Sequence, residues 1–263
     1  MESKLDFDAI TQRKKIVEWI RGWFEQNGPM ASAVIGLSGG KDSSITAALL
    51  TEAIGKERVV GVLMPNGIQS DLEDAKEVAK SLGIKTRLVN IGGAVKALTA
   101  CIEDSTDPLD NDKTIGDKLS WDAGVNLPPR IRMTVLYAVA QSLPNGGRVA
   151  NTCNASEDYV GYSTKYGDSA GDFSPLADLT VQEVLAVGQT FANLPQRLVK
   201  KTPSDGLCGQ SDEDRLGFTY EMLDRYIRTG VCEDEKVKEK IDRLHVLNLH
   251  KLKVIPKYER TED

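Results

Sequence analysis

The residues that point most clearly to chemistry form a short loop rich in glycine and serine. Its sequence is Gly36-Leu37-Ser38-Gly39-Gly40-Lys41-Asp42-Ser43-Ser44. Glycine readily takes positive φ, so Gly39 and Gly40 are expected to bring backbone N–H groups close to an anion. A helix that starts after the loop adds unpaired N–H donors, and the hydroxyls of Ser38, Ser43 and Ser44 add side-chain donors. The pattern predicts a loop that holds nucleotide phosphates.

Asp42 indicates that a divalent cation binds beside this loop. An acid beside a phosphate repels it unless a divalent cation lies between them, so Asp42 predicts Mg²⁺ held by a carboxylate and by nucleotide phosphates. Lys41 either adds positive charge or points to solvent. Zinc is not favoured, because the four cysteines are far apart and His245 and His250 are five residues apart. A glycine turn that only caps a helix is the structural alternative.

Alternating apolar and amphipathic segments predict the fold that positions the loop. Helices are predicted over residues 11–27, 43–54, 70–82 and 126–142, and strands over residues 33–37, 59–64, 86–91 and 148–152. Apolar strands without polar alternation are typical of strands buried on both faces, and helical crossovers imply parallel pairing. We therefore expect a doubly wound α/β sheet flanked by helices, with a mainly helical C-terminal extension beyond residue 175.

The C-terminal half contains signals for helix starts and for a solvated helix. Residues 180–183 and 211–214 both indicate capping boxes. In the charged run over residues 233–243, Asp234 stands four residues before Lys238, which is typical of a solvated helix face. No linker rich in proline, glycine or serine divides the chain, so residues 1–263 are expected to form a single domain.

Composition sets the broad class of the protein. The chain has 263 residues, with 33 lysines and arginines against 39 acids, for a formal net charge of −6. Hydrophobic residues make up 40%, which excludes a disordered chain. No apolar run approaches the roughly 18 residues of a membrane span, and the first residues do not resemble a signal peptide. A cytoplasmic protein with no membrane or nucleic-acid partner is expected, since negative charge disfavours nucleic acid.

The loop Ser38-Gly39-Gly40-Lys41-Asp42-Ser43 resembles that of the N-type ATP pyrophosphatases, which cleave ATP between its α and β phosphates. Other segments resemble the ammonia-dependent NAD synthetases of that superfamily. Their matching residues are Asn126, Arg130, Arg132 and Met133; Glu157, Gly161, Thr164, Lys165, Tyr166, Gly167, Asp168, Asp172 and Pro175; Lys201, Thr202, Pro203, Ser204 and Asp205; Gln210, Ser211, Asp212 and Glu213; Gly217, Phe218, Thr219 and Tyr220; and His250 and Lys251. The chain is identified as a member of this family over about residues 10–255.

The resemblance implies an activity, in which ATP converts the nicotinate carboxylate of deamido-NAD to an acyl-adenylate. Ammonia then attacks the acyl-adenylate and gives NAD and AMP. This reaction is the last step of NAD biosynthesis. The resemblance also implies ATP binding by residues 36–43, Thr152 and Ser204, Mg²⁺ binding by Asp42 and Glu157, and deamido-NAD contacts from Arg130, Lys165, Asp172, His250 and Lys251. Asp168, Ser38 and Lys165 are the expected catalytic residues, with Asp168 near the ammonia site. A homodimer with deamido-NAD at its interface is implied as well.

Five of the implied site residues have a structural alternative. Glu157 could simply start a helix, Lys165 could be a surface lysine, Arg130 could be an ion-pair partner, and Thr152 and His250 could be helix caps. The family often has a lysine at the ATP phosphates where this chain has Val181. Either another cation replaces it, such as Lys200 or Lys201, or ATP is bound differently.

The nitrogen source and two rival functions also follow from the sequence. A glutaminase domain does not fit within 263 residues, so ammonia is expected to arrive free or from a separate subunit. Residues 203–209 are the expected lid over the adenylate. A tRNA-modifying pyrophosphatase and a non-catalytic nucleotide-binding regulator remain the rivals, although the net charge disfavours the first and the carboxylates Asp42 and Glu157 disfavour the second.

Overall fold

The computed structural model describes residues 7–68, 71–107, 110–114, 118–199 and 212–260. Within these residues the helices are α1 (Ala9–Asn27), α2 (Lys41–Ile54), α3 (Leu72–Leu82), α4 (Gly92–Glu103), α5 (Trp121–Gln141), α6 (Ala155–Val160), α7 (Val181–Gln189), α8 (Gln196–Val199), α9 (Asp212–Leu216), α10 (Tyr220–Thr229) and α11 (Glu235–Leu252). The strands are β1 (Ser32–Gly36), β2 (Val59–Leu63), β3 (Lys85–Leu88), β4 (Thr106–Asp107), β5 (Asp110–Thr114) and β6 (Gly147–Val149).

Four of these strands form a parallel sheet in the order β3-β2-β1-β6, and β4 pairs with β5 as a separate antiparallel hairpin. Ala33 of β1 lies opposite Val59 of β2 on one side and opposite Arg148 of β6 on the other. The chain therefore winds away from β1 in one direction and returns to its other edge with β6. In doubly wound sheets, ligands bind in the crevice at the carboxyl ends of such a strand pair.

Different helices cover the two faces of the sheet. On one face Ile35 of β1 packs in a buried cluster with residues of α1 and α2, including Leu49. On the other face Val34 packs with residues of α5, including Leu136. Burying each such aliphatic side chain contributes about 1.5–3 kcal/mol, so these two layers hold the carboxyl ends of the strands in place. None of the described helices combines the length and apolar composition needed to cross a membrane.

The predicted fold class is confirmed, and the predicted elements differ from the structure mainly at their ends. α2 begins at Lys41, two residues earlier than predicted, and α5 begins at Trp121. α4 and the β4–β5 hairpin are additions that the sequence did not predict. The expected burial of strands on both faces is wrong for β3, whose side chains are exposed because it forms the edge of the sheet.

The helix-start predictions have mixed outcomes. Thr180 and Glu183 form the predicted capping box of α7, whereas Ser211 lies outside the described residues. The charged run lies mostly on α11, where Glu235, Glu239 and Arg243 are exposed, as a solvated helix face requires. Asp234 caps α11 through its side chain, and the Lys238 ammonium pairs with Glu235 and Asp242 on the helix surface.

Candidate active site

A cavity of about 820 Å³ opens at the carboxyl ends of β1 and β6. Its wall comprises the phosphate loop, the segment after β6 and parts of α5, α9 and α11. The predicted site residues that line it are Gly36, Leu37, Ser38, Gly40, Lys41, Asp42, Ser43, Thr152, Glu157, Asp168 and Lys251. Residues that the sequence assigned to ATP, Mg²⁺ and ammonia therefore share one space.

The phosphate loop depends on one glycine with a left-handed backbone. Gly39 has φ of +81°, and a Cβ at this position would come within 2.8 Å of the Asp71 carbonyl oxygen. Gly40 differs from expectation, because its φ is −81° and it serves as the N-cap residue of α2. No side chain caps α2, so its first-turn N–H groups remain available to an anion.

The loop hydroxyls are ordered by hydrogen bonds within the loop. The oxygens of Ser38 and Ser43 lie 3.0 Å apart, and the Gly40 amide donates to the Ser38 hydroxyl at 3.2 Å. Ser44 is buried and donates to the Gly40 carbonyl at 2.7 Å, and it does not line the cavity. Ser38 and Ser43 are therefore the hydroxyls placed to meet a phosphate.

Lys41 does not point to solvent. Its side chain is 3% exposed, and its Nζ lies 2.6 Å from Asp42 Oδ2 and 3.9 Å from Glu157 Oε1. One ammonium group thus stands between the two carboxylates predicted to bind Mg²⁺. Since these carboxylates come from α2 and α6, Lys41 also connects the two segments that follow β1 and β6.

Asn154 fixes the geometry of this pair, although the sequence analysis did not single it out. Its side chain caps α6 by accepting from the amides of Ser156 and Glu157 at 3.1 Å each. Its Nδ2 donates to Asp42 Oδ1 at 3.2 Å, and its amide donates to the Glu157 carboxylate at 3.4 Å. The spacing of Asn154 and Glu157 is that of a capping box, a signal that could have identified it. Asn154, not Thr152, is therefore the cap.

The electrostatics of this pair suit a divalent cation. Burial and the neighbouring Asp42 raise the pKa of Glu157 to about 8, although Lys41 acts in the opposite direction. Burial alone would lower the pKa of Lys41, but Asp42 and Glu157 hold it above its ordinary value. No group of three or more His, Cys, Asp or Glu side chains suited to a metal occurs in the described part of the chain. The two carboxylates fit Mg²⁺ if its other ligands are phosphate oxygens and water.

Asp168 lies on the other side of the cavity wall, in the turn after α6. Its Oδ1 accepts from the Thr164 amide at 2.8 Å, and its backbone carbonyl accepts from the side chains of Asn151 and Cys153. Burial raises the pKa of the Asp168 carboxyl, although the Thr164 amide and Lys251 oppose this shift. Its carboxylate is therefore fixed in orientation, open to the cavity and more basic than an ordinary aspartate.

Three of the predicted deamido-NAD residues lie together outside the cavity lining. Arg130 Nε donates to the Lys165 carbonyl at 3.2 Å, and Lys165 Nζ donates to the His250 carbonyl at 2.9 Å. The His250 ring bonds the Leu247 carbonyl in its own helix at 3.0 Å, as the helix-cap alternative predicts. These contacts form a continuous line that ends next to Lys251, which does line the cavity.

Asp172 does not line the cavity. Its Oδ2 accepts from the Val149 amide at 2.7 Å and its Oδ1 from the Tyr137 hydroxyl at 3.2 Å, so the carboxylate secures the end of β6. Burial and this carboxylate raise the pKa of Tyr137 to about 12. Ser204, Lys200, Lys201 and the predicted lid over residues 203–209 lie outside the described residues.

Several cavity residues were missed because their position depends on the fold. Asn151 and Cys153 follow β6, Asp212 begins α9, and all three are buried in the wall of the cavity. The Asp212 carboxylate lies 3.4 Å from the hydroxyl of Tyr220. No local motif marks Asn151 or Cys153, and the capping signal over residues 211–214 did not give Asp212 a role in the site. All three residues reach the cavity through the order of the strands and the position of the C-terminal helices.

The comparison with known families decides between the nucleotide-binding alternatives. A family model described as NAD synthase matches residues 12–262. The chain belongs to the NAD synthase family. An NH(3)-dependent NAD(+) synthetase from Pyrococcus furiosus is 39% identical over 225 residues, which cover 85% of this chain and 79% of the relative.

Solved structures agree with this membership. The structure of an NMN synthetase from Francisella tularensis has a TM-score of 0.83 at 31% identity, covering 97% of this chain and 100% of that one. A glutamine-dependent NAD+ synthetase from Acinetobacter baumannii, in complex with adenosine diphosphate, has a TM-score of 0.66 at 26% identity, with coverage of 98% of this chain and 49% of that chain. The predicted family and fold are confirmed, and the roles of individual site residues stay predictions.

Proposed function

We propose that this chain converts deamido-NAD to NAD with ammonia and ATP. It is a ligase that forms an amide bond and releases AMP and pyrophosphate. One observation carries the proposal: a single cavity joins a phosphate-binding loop, a carboxylate pair suited to Mg²⁺ and a separate aspartate, Asp168. The match to the NAD synthase family over residues 12–262 supports the same reaction.

In the first step the nicotinate carboxylate attacks the α-phosphorus of ATP, and pyrophosphate leaves. The first-turn amides of α2 and the hydroxyls of Ser38 and Ser43 bind the phosphates, with Thr152 as a further contact. Ser204, which lies outside the described residues, is proposed as an ATP-binding residue as well. Asp42 and Glu157 would hold Mg²⁺, which when bound would supply positive charge to the phosphates. Donors fixed by the loop before the reaction stabilise the charge that develops on the leaving group.

In the second step ammonia attacks the acyl carbon of the adenylate, and AMP leaves. The nitrogen must lose a proton, and Asp168 is the proposed acceptor. Its raised pKa suits a general base, and its bond from the Thr164 amide fixes the carboxylate. Separate carboxylates therefore serve the two steps, with Glu157 for adenylation and Asp168 for amidation.

Deamido-NAD is proposed to bind against Arg130, Lys165, Asp172, His250 and Lys251. The linked cations Arg130 and Lys165 suit the phosphates or the carboxylate of such a ligand. The proposal extends to a homodimer with deamido-NAD at its interface. Trp121 and Tyr166, which are 66% and 57% exposed near this region, support an interface because large exposed aromatic side chains often mark one.

A second acceptor is favoured by one comparison. The structure of the F. tularensis protein, described as an NMN synthetase, has a TM-score of 0.83 against this chain. An enzyme that makes NMN by amidation acts on nicotinate mononucleotide, which shares the reacting carboxylate and lacks the adenylate half of deamido-NAD. The two candidates therefore differ in whether the acceptor carries the adenylate half.

A coupled assay tests both candidates. The purified protein is incubated with ATP, Mg²⁺ and ammonium plus either deamido-NAD or nicotinate mononucleotide, and amide product, AMP and pyrophosphate are measured together. Equal formation of NAD, AMP and pyrophosphate is expected, with loss in Asp42→Asn and no loss in Asp104→Asn, an exposed control. Preference for nicotinate mononucleotide would select the second candidate. AMP release without amide would refute both and point to another acceptor, such as tRNA.

A further inference from the structure

The short helix α6 and the turn after it carry two of the three carboxylates of the proposed mechanism, Glu157 and Asp168. α6 has six residues, includes Glu157 and ends at Gly161, whose φ is +66°. The turn then leads to Asp168. An isolated helix of this length is not stable in water, and its last carbonyls lack partners within the helix. Contacts from elsewhere in the fold must hold this segment.

α11 supplies those contacts through three side chains on one face. The bonds are His245 Nδ1 to the Tyr159 carbonyl (2.8 Å), Asn248 Nδ2 to the Val160 carbonyl (3.0 Å), and Lys251 Nζ to the Gly161 (2.6 Å) and Ser163 (2.9 Å) carbonyls. Residues spaced three apart on a helix lie on the same side. Each of the three side chains therefore reaches the next carbonyl along α6 and its turn.

The packing between the two segments is close. A Cβ on Gly161 would lie only 2.0 Å from the Asn248 Cβ, so glycine is required by this contact as well as by its φ. The His245 ring stacks on the Tyr159 ring with 4.1 Å between centroids. Because a carbonyl oxygen can only accept, His245 Nδ1 carries the proton in this bond.

The turn itself has a conformation that needs outside support. Tyr166 has φ of +62°, and no other described non-glycine residue has a positive φ. Such a backbone is strained for a residue with a side chain and persists only when its surroundings impose it. On the N-terminal side of Tyr166, Lys251 donates to the Ser163 carbonyl. The residue just before Tyr166, Lys165, donates to the His250 carbonyl. Both supports come from α11.

We infer that His245, Asn248 and Lys251 form a carbonyl clamp, in which α11 holds the backbone of α6 and its turn and so positions Glu157 and Asp168 for the reaction. The inference rests on the proposed function. Asn248 is the central positioning residue, since it contacts no ligand-binding group and donates to the Val160 carbonyl at the end of α6. Lys251 thereby gains a second role beside substrate contact, because its ammonium already bonds two carbonyls.

The clamp should act on catalysis more than on substrate affinity. Glu157 and Asp168 lie three residues before and eight residues after Val160, so loosening the backbone there displaces both carboxylates. A displacement of about 1 Å in a catalytic group can reduce turnover by about 10²-fold. Loss of the Asn248 donor is therefore expected to lower kcat by tenfold or more, with a smaller change in KM for ATP.

The test compares Asn248→Ala with Ile241→Val, a buried substitution in the same helix that removes no polar contact. Both variants are assayed for kcat and KM at a temperature well below unfolding. Backbone hydrogen exchange is measured for the amides of Tyr162 and Thr164, which are bonded within the clamped segment. We expect lower kcat and faster exchange only in Asn248→Ala, with partial recovery in Asn248→Ser, which keeps a hydroxyl donor.

A second variant covers the case in which Asn248→Ala does not fold. His245→Phe keeps the ring against Tyr159 and removes the Nδ1 donor, so it should lower kcat without loss of the fold. The clamp is overturned if kcat and exchange in these variants match Ile241→Val. If the unmodified protein forms no amide from either acceptor, the proposed function fails, and the exchange comparison alone then decides the clamp.

Discussion

Replacing Glu157 by glutamine should stabilise the ligand-free protein at alkaline pH while removing Mg²⁺-dependent turnover. The Glu157 side chain is 16% exposed and faces Asp42 across a shared lysine. Glutamine has nearly the same shape and can still accept from the Asn154 amide. The variant therefore removes the charge of this carboxyl and leaves the capping contact in place.

The magnitude follows from the pKa of Glu157, which is raised from 4.5 to about 8 by burial and by Asp42. At about 1.4 kcal/mol for each tenfold change in proton affinity, this difference amounts to about 5 kcal/mol. Between these two pKa values the folded protein binds one more proton than the unfolded chain, so its stability falls as the pH rises. Water that reaches the exposed part of the side chain lowers the expected loss to about 2–5 kcal/mol.

Urea unfolding without Mg²⁺ checks this expectation, followed by the fluorescence of the three tryptophans at pH 5, 7 and 9. The free energies of unfolding of the variant and the unmodified protein should agree near pH 5 and diverge toward pH 9, with the variant more stable. Glu73→Gln, at a carboxylate that is 79% exposed, is the control and should show no such divergence.

The same variant should lose the stabilisation that Mg·ATP is expected to give to the folded protein, because one of the two proposed metal-binding carboxylates is absent. Turnover should fall by about 10²-fold or more, the scale expected when charge stabilisation of a transition state is removed. A stability difference that does not change with pH would refute the reasoning, since it would mean that Glu157 is not held as a desolvated carboxyl beside Asp42.

Three further variants test other parts of the site. Gly39→Ala forces a Cβ to within 2.8 Å of the Asp71 carbonyl at positive φ, so a lower melting temperature and loss of the Mg·ATP thermal shift are expected. Asp168→Asn should slow NAD formation by about 10²–10⁴-fold while single-turnover pyrophosphate release persists, as measured by quenched flow. Lys41→Met leaves Asp42 without its buried counter-charge and should cost about 3–5 kcal/mol in urea unfolding at pH 8.

The parts of the fold that the sequence predicts are those set by local pattern. The apolar strands around Ile35 and Val60 show in their own sequence that they are buried, and the glycine pair after β1 marks a tight loop. The sequence therefore predicts the sheet, the crossover helices and the phosphate loop. Strand ends and edge exposure are not local properties. β3 has a strand-like sequence but lies at the edge, and only the order of the strands shows this.

The candidate site was less predictable because its decisive contacts join distant segments. Lys41 is adjacent to Asp42 in sequence, yet its burial depends on Glu157, which lies on α6. Asn154 has a recognisable capping signal, but its bond to Asp42 spans 112 residues. The contacts of Asn248 with α6 likewise depend on how the C-terminal helix returns to the sheet.

The contacts of Val181 bear on which positive charges are available to the phosphate loop. It begins α7 and is buried, and its amide donates to the Ser156 hydroxyl, while the next amide in α7 donates to Asp224 at 2.9 Å. This end of α7 is therefore occupied by structural partners, and no cation extends from position 181 to the cavity. Among the described residues of the phosphate loop, the available cation is Lys41, which is already bonded to Asp42. If bound phosphates attract the Lys41 ammonium, the Asp42 carboxylate loses its positive partner. A divalent cation would neutralise that negative charge. The valine at position 181 therefore favours the proposal that Mg²⁺ balances the charge of this site.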